Sequence, residues 1–205
     1  MVTRSDLESV FNKKKYCGGD QLKFHTADFE AVNHREAIFF VEDLVNKNEF
    51  LSEWQIKSIH QLILKNIDDK NAGVYRKTNV IISGADYVPP DALDVESYMQ
   101  RFINWYQTDG ASLHQVERAA RVYADFVKIH PFVDGNDRAS RLLMNLELMK
   151  SGFPPVVLPV EKRLEYYETL DTAHTKNDYE PFLTLIANIA ESGFKPYWHA
   201  LGVTP

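Results

Sequence analysis

The sequence predicts a mostly α-helical bundle that carries one short β-hairpin. Three observations predict it. Apolar residues recur at helical spacing through most of the chain. A single stretch, Tyr75 to Val88, breaks that period with a β-prone run, Val80-Ile81-Ile82, followed by a Ser83-Gly84 turn and a Pro89-Pro90 stop. The remaining breakers, such as Gly152 and Pro154-Pro155, fall between periodic segments. With 205 residues, 44% of them hydrophobic and 25% charged, the chain suits one soluble domain over 1–205 with an ordinary core.

Taken in order, Asp6 to Lys15 reads as a short amphipathic helix ending near Gly18-Gly19. Phe24 to Lys47 reads as a helix with Ala37, Phe40, Val41, Leu44 and Val45 on one face. Ser52 is a good N-cap for Glu53 to Ile67, whose buried stripe is Ile56, Ile59, His60, Ile63 and Leu64. His60 reads as a core-flanking histidine. A two-stranded hairpin follows, too small to be a sheet core. Asp91 to Thr108 gives a helix with Val95, Met99, Phe102, Ile103 and Tyr106 inward. Leu113 to Ile129 and Arg138 to Lys150 form a pair, then Val160 to His174 and Glu180 to Glu191. The tail, Phe194 to Pro205, is expected to dock through Tyr197 and Trp198.

Composition bounds the function. A net charge of −6 argues against nucleic acid or an acidic membrane as partner. The lone Cys17 leaves no internal disulfide and no Cys-rich zinc site. No apolar run reaches the length of a membrane span, and the first residues lead into charge, so the expected setting is cytoplasmic.

The chemistry concentrates between the paired helices, in His130-Pro131-Phe132-Val133-Asp134-Gly135-Asn136-Asp137-Arg138-Ala139-Ser140-Arg141. Pro131 stops the first helix, and Gly135 allows a positive-φ turn close to a ligand. The second helix then begins with unpaired N–H groups and a partial positive charge, a ready anion site. Arg138 and Arg141, three apart, share a face and can reach one polyanion. His130 is a candidate general base near neutral pH. Asp134 is a hard oxygen ligand suited to Mg²⁺ held jointly with substrate phosphates. Gly135, Asn136 and the N–H groups up to Arg138 are candidates for phosphate binding. Phe132 would bury the underside of the loop.

This stretch resembles the signature of the Fic family, His-x-Phe-x-(Asp/Glu)-Gly-Asn-(Gly/Lys)-Arg-x-x-Arg, and the parallel of elements runs from about Ala37 to Ala190. The resemblance implies a Fic-fold bundle and a protein adenylyltransferase. Such an enzyme moves AMP from ATP, with Mg²⁺, to a Ser, Thr or Tyr hydroxyl of a protein target, the chain itself included, and a homodimer is compatible with it. His130 would be the base. Arg138 would hold the β/γ end of the nucleotide, Arg141 would add a second contact or brace the loop, and Val80, Ile81 and Ile82 would form a flap that pairs with the target strand. One of Tyr166 and Tyr167 would border the nucleotide base, and His174 falls where relatives carry a base-contacting Asn.

Two features leave alternatives open. Asp137 stands where the family has Gly or Lys. It is either a second metal ligand beside Asp134 or a favourable residue at the helix N-terminus. Because a carboxylate near a triphosphate is unfavourable without a cation, phosphotransfer, transfer of another nucleotide-linked group, or a weakly active binding module stand as alternatives. The inhibitory motif of many Fic proteins, (Ser/Thr)-x-x-x-Glu-(Gly/Asn), has two candidate frames here, Thr26 with Glu30 or Ala27 with Ala31, and an ordinary amphipathic helix is the third alternative. Of the two frames, the second is slightly favoured because Asn33 follows two residues later.

Overall fold

A computed structural model describes residues 26–202. The expected helix over Asp6 to Lys15 lies outside them. Helix α1 (Thr26–Lys47) and α2 (Glu53–Leu64) pack side by side. The α2 start is capped as expected, with the Ser52 N–H donating to Gln55 Oε1 at 2.6 Å. The helix ends three residues earlier than its pattern suggested, because Asn66 adopts φ 60° and its N–H turns to Asp69.

After α3 (Val95–Gln107) come the two central helices, α4 (Gln115–Ile129) and α5 (Asn136–Lys150), joined by the loop 130–135. They divide the interior into two cores. One holds Leu51, Ile56, Ile59, Ile63, Met99, Phe126, Phe132 and Leu143. The other holds Tyr123, Met144, Leu148, Tyr166, Leu170, Phe182 and Ile186, from α4, α5, α6 (Arg163–Lys176) and α7 (Glu180–Gly193). Facing both cores, α4 and α5 are fixed on two sides, and so is the loop between them. Glu147 on α5 reinforces this inside the bundle. It accepts from the Tyr106 hydroxyl at 2.7 Å and pairs with Arg118 at 3.0 Å.

Two expectations need correction. No strand forms among the described residues, so the hairpin over Tyr75 to Val88 is an irregular loop. Its ends are tied by side chains instead of a ladder. Asn79 donates to Asp91 and accepts from the Ala92 N–H, and Asp171 accepts from the Asp86 and Tyr87 N–H groups. An isolated pair of strands is marginal in water, and these bonds leave little for a ladder to add. The tail meets expectation in part only. It forms α8 (Lys195–Leu201), in which Trp198 stacks on Phe194 while Tyr197 stays 55% exposed.

Candidate active site

The loop 130–135 is braced from below. Phe132 is fully buried and lies flat against His60, with ring centroids 3.6 Å apart. His60 ties two loops together. Its Nδ1 accepts from the Gly73 N–H at 2.9 Å, so Nε2 carries the proton and donates to the Asp134 carbonyl at 2.8 Å. Burial lowers its pKa to about 4, which keeps the ring neutral for both bonds. Gly135 sits directly above, at φ 77°, where a Cβ would come within 3.1 Å of His60 Nε2. The glycine is therefore required twice, for conformation and for space.

Asn136 is also a brace. Its buried side chain accepts from the Phe132 N–H at 3.0 Å and donates to the Phe132 carbonyl at 2.9 Å. Its side-chain oxygen is therefore engaged within the loop. The first intrahelical bond of α5 runs from Ala139 N to Gly135 O, so the N–H groups of Asn136, Asp137 and Arg138 precede the ladder.

His130 ends α4 in the left-handed conformation, φ 50° and ψ 58°. That is unusual for a residue with a side chain. Arg76 holds it there, a role the sequence reading missed. The Arg76 Nε donates to the His130 carbonyl at 2.8 Å, and its other nitrogens donate to Thr78 O at 3.1 Å and Pro90 O at 2.5 Å. The Arg76 N–H bonds Pro131 O at 2.9 Å. His130 Nδ1 is buried without a formed hydrogen bond, although the Val127 backbone lies close enough to favour the protonated ring. Burial and the Arg76 charge outweigh that and hold the pKa below the ordinary histidine value.

Asp134 is 69% exposed. Its Oδ1 accepts from the Gly135 N–H at 2.6 Å, and its Oδ2 pairs with Arg138 at 3.1 Å. Arg138 also reaches Glu30 on α1 at 3.2 Å. Of the residues in the two candidate frames, Glu30 is the one that contacts the signature among the described residues. The contact is with the first arginine, not the second. Ala31 is exposed on α1, and the side chain of Ala27 lies outside the described set.

Asp137 is engaged on both oxygens. Oδ1 accepts from the buried hydroxyls of Tyr123 at 2.6 Å and Tyr166 at 3.1 Å, which also contact each other. Oδ2 pairs with Arg141 at 2.9 Å. Burial and the Asp137 charge raise the pKa of both tyrosines, so the hydroxyls remain donors. Among the described residues no group of three His, Cys, Asp or Glu side chains gathers to hold a metal. Tyr123 was missed in the sequence, and the signal for it was the acid itself. A carboxylate in a glycine position needs donors, and the neighbouring helices supply two.

Tyr166 and Tyr167 divide as expected into one buried and one 48% exposed side chain, the latter beside Arg163. His174 is also buried. Its Nε2 donates to Ala124 O at 2.9 Å, its ring packs on Tyr87, and burial lowers its pKa to about 4. It braces α6 against α4. Ile81 is 83% exposed, and among the described residues no backbone–backbone bond involves Val80 or Ile81.

With this geometry in place, comparison with known proteins decides the family. The Fic/DOC family model matches residues 50–148, the span that contains the whole loop. The chain carries a Fic domain. It is 35% identical over 206 residues to a protein adenylyltransferase Fic of Nematostella vectensis, covering 100% of this chain and 47% of the relative. It is 39% identical over 206 residues to one of Drosophila grimshawi, covering 100% and 41%. Among solved structures, Fic-1 (residues 134–508) from C. elegans superposes with a TM-score of 0.79 at 29% identity, over 98% of this chain and 59% of that one. The chain thus spans less than half the length of these curated relatives. The mostly helical Fic fold expected from the signature is the one observed. Among the described residues no helix is long and apolar enough to cross a membrane.

Proposed function

We propose that this Fic domain transfers AMP from ATP to a hydroxyl on a polypeptide. One observation carries the reading: a strained, half-buried histidine at the end of α4 stands one braced loop from an open helix N-terminus that bears two arginines. The curated relatives named protein adenylyltransferase support it.

In this reading the hydroxyl oxygen attacks the α-phosphorus and the bond to the β-phosphate oxygen breaks. The hydroxyl proton passes to His130, whose lowered pKa keeps it unprotonated at neutral pH. The N–H groups of Asn136 to Arg138 hold phosphate oxygens, and Arg138 holds the departing pyrophosphate, joined by Arg141 once phosphate displaces it from Asp137. Asp134 projects beside that turn as one exposed carboxylate, which fits Mg²⁺ sharing phosphate oxygens. The flap, whose Val80 and Ile81 make no backbone–backbone bond among the described residues, would pair with an extended target. Glu30 would act as a brake by occupying Arg138.

In this reading Asp137 does not call for a different transferred group, because its carboxylate is paired with Arg141 and hydrogen-bonded by two hydroxyls. Incubation with α-labelled and γ-labelled ATP tests the reading. Protein label from the α position is expected, and label from γ alone would replace adenylyl transfer by phosphotransfer.

A further inference from the structure

Beneath the Tyr87 to Pro90 end of the flap lies a cavity of about 270 Å³. Its walls include Tyr87, Tyr98, Trp105 and Tyr179, with Arg101 and Lys128 among them. That volume falls below the roughly 300–1,000 Å³ of small-molecule sites and suits one large side chain.

Its electrostatics are one-sided. The Arg101 guanidinium lies 4.2 Å over the Tyr98 ring, and Lys128 Nζ lies 5.7 Å and 5.9 Å from the Tyr87 and Tyr179 rings. Neither cation has a carboxylate within 4.0 Å among the described residues. The one acid in the wall, Asp125, is already engaged. It accepts from the Tyr179 hydroxyl at 2.6 Å and pairs with Arg121 at 3.4 Å. The aromatic faces thus come with two uncompensated positive charges.

The cavity also adjoins the catalytic loop. Ile129, the residue before His130, is in its wall, and so is Pro90, whose carbonyl shares the Arg76 guanidinium with that of His130. A chain laid along the flap would present a side chain here, next to the hydroxyl to be modified.

We infer that this cavity docks an aromatic side chain with a carboxylate neighbour, from a polypeptide held by the flap. That this polypeptide is the transfer substrate rests on the reading above, whereas the cavity's binding preference does not. Binding is therefore measured without ATP, from the indole N–H resonance of Trp105. The probes are the blocked dipeptides acetyl-Phe-Glu-amide, acetyl-Phe-Lys-amide and acetyl-Ala-Glu-amide. The first is expected to saturate Trp105, the second to bind about fivefold more weakly, as for one exposed ion pair, and the third to give no saturable shift. Arg101 is exposed and, among the described residues, hydrogen-bonds within its own helix, to Ser97, so Arg101→Glu is expected to keep the fold and to reverse the order of the two Phe peptides. Equal binding of all three, absence of binding, shifts confined to Trp54 and Trp198, or an order unchanged in Arg101→Glu would each overturn the inference. A protein that binds acetyl-Phe-Glu-amide but transfers no AMP would refute only the transfer reading.

Discussion

Arg76 donates from Nε to the carbonyl of His130 at 2.8 Å while reaching two flap carbonyls with its other nitrogens. One buried guanidinium therefore fixes both the candidate base and the base of the flap. A lysine cannot span three acceptors, because its ammonium is a compact point charge. Arg76→Lys is expected to lower stability by about 1–3 kcal/mol, from buried carbonyls left unpaired. It should also lower kcat for transfer with little change in the KM for ATP. Chemical denaturation and steady-state kinetics check both, and a full kcat at reduced stability would make Arg76 a plain structural brace.

His130→Ala should reduce transfer by about 10²–10⁴-fold, as for loss of a general base, with an unchanged circular dichroism spectrum. The pH profile tests the same role. The base acts when neutral, and burial together with Arg76 holds its pKa below the usual histidine value. Activity should therefore persist below pH 6.5 and decline only at more acidic pH. A profile centred above 6.5 would contradict the assigned environment.

Stability should follow pH through His60 and His174. Both are buried and both are held at about 4 in the folded chain, against 6.5 for an ordinary histidine. Below 6.5 the unfolded chain takes up protons that the folded chain does not, so their contribution is present above 6.5 and is lost as pH falls towards 4. The slope is about 1.4 kcal/mol per pH unit for each histidine. Urea midpoints at pH 7, 6 and 5 measure it, and His60→Gln should flatten part of the dependence.

The helices and the central loop were legible because their causes are local: apolar period, capping residues, a proline stop and a glycine turn. His130, Gly135, Arg138 and Arg141 could be placed for the same reason. What escaped depends on contacts distant in sequence. Nothing near Arg76 announces that its partners lie at His130 and Pro90. The hairpin failed because the β-prone run Val80-Ile81-Ile82 is real but has no partner strand, and Asn79 and Asp171 tie the loop ends instead. The place of His174 on its helix is legible, whereas the neighbours it faces, Ala124 and Tyr87, are distant in sequence.

Glu30 and Arg138 form a pair whose partners are 47% and 25% exposed. Exposed pairs contribute at most about 1 kcal/mol. If Glu30 restrains Arg138 from phosphate, Glu30→Ala should raise transfer by no more than about fivefold. Isothermal titration with ATP and a transfer assay on the same protein check this. A drop in activity would mean that Glu30 orients Arg138 productively.

The last prediction concerns Asp137, whose two oxygens serve different partners. Oδ1 accepts from Tyr123 and Tyr166, and Oδ2 holds Arg141. Two substitutions separate these functions. Asp137→Gly removes both, so the buried hydroxyls lose their acceptor, and stability should fall by about 1–3 kcal/mol. It also frees Arg141 for phosphate, so ATP should bind more tightly despite the weaker fold. Asp137→Asn keeps an acceptor for the tyrosines and removes the charge, so stability should stay near that of the parent while ATP binding tightens. The combination follows only if the carboxylate competes with phosphate for Arg141. A direct metal contact gives the opposite sign: both variants would then need more Mg²⁺ and bind ATP more weakly. A matrix of ATP and Mg²⁺ concentrations across the three proteins, with a denaturation curve for each, distinguishes the two, and weaker ATP binding in Asp137→Asn would refute the tether to Arg141 as the reason for the acid.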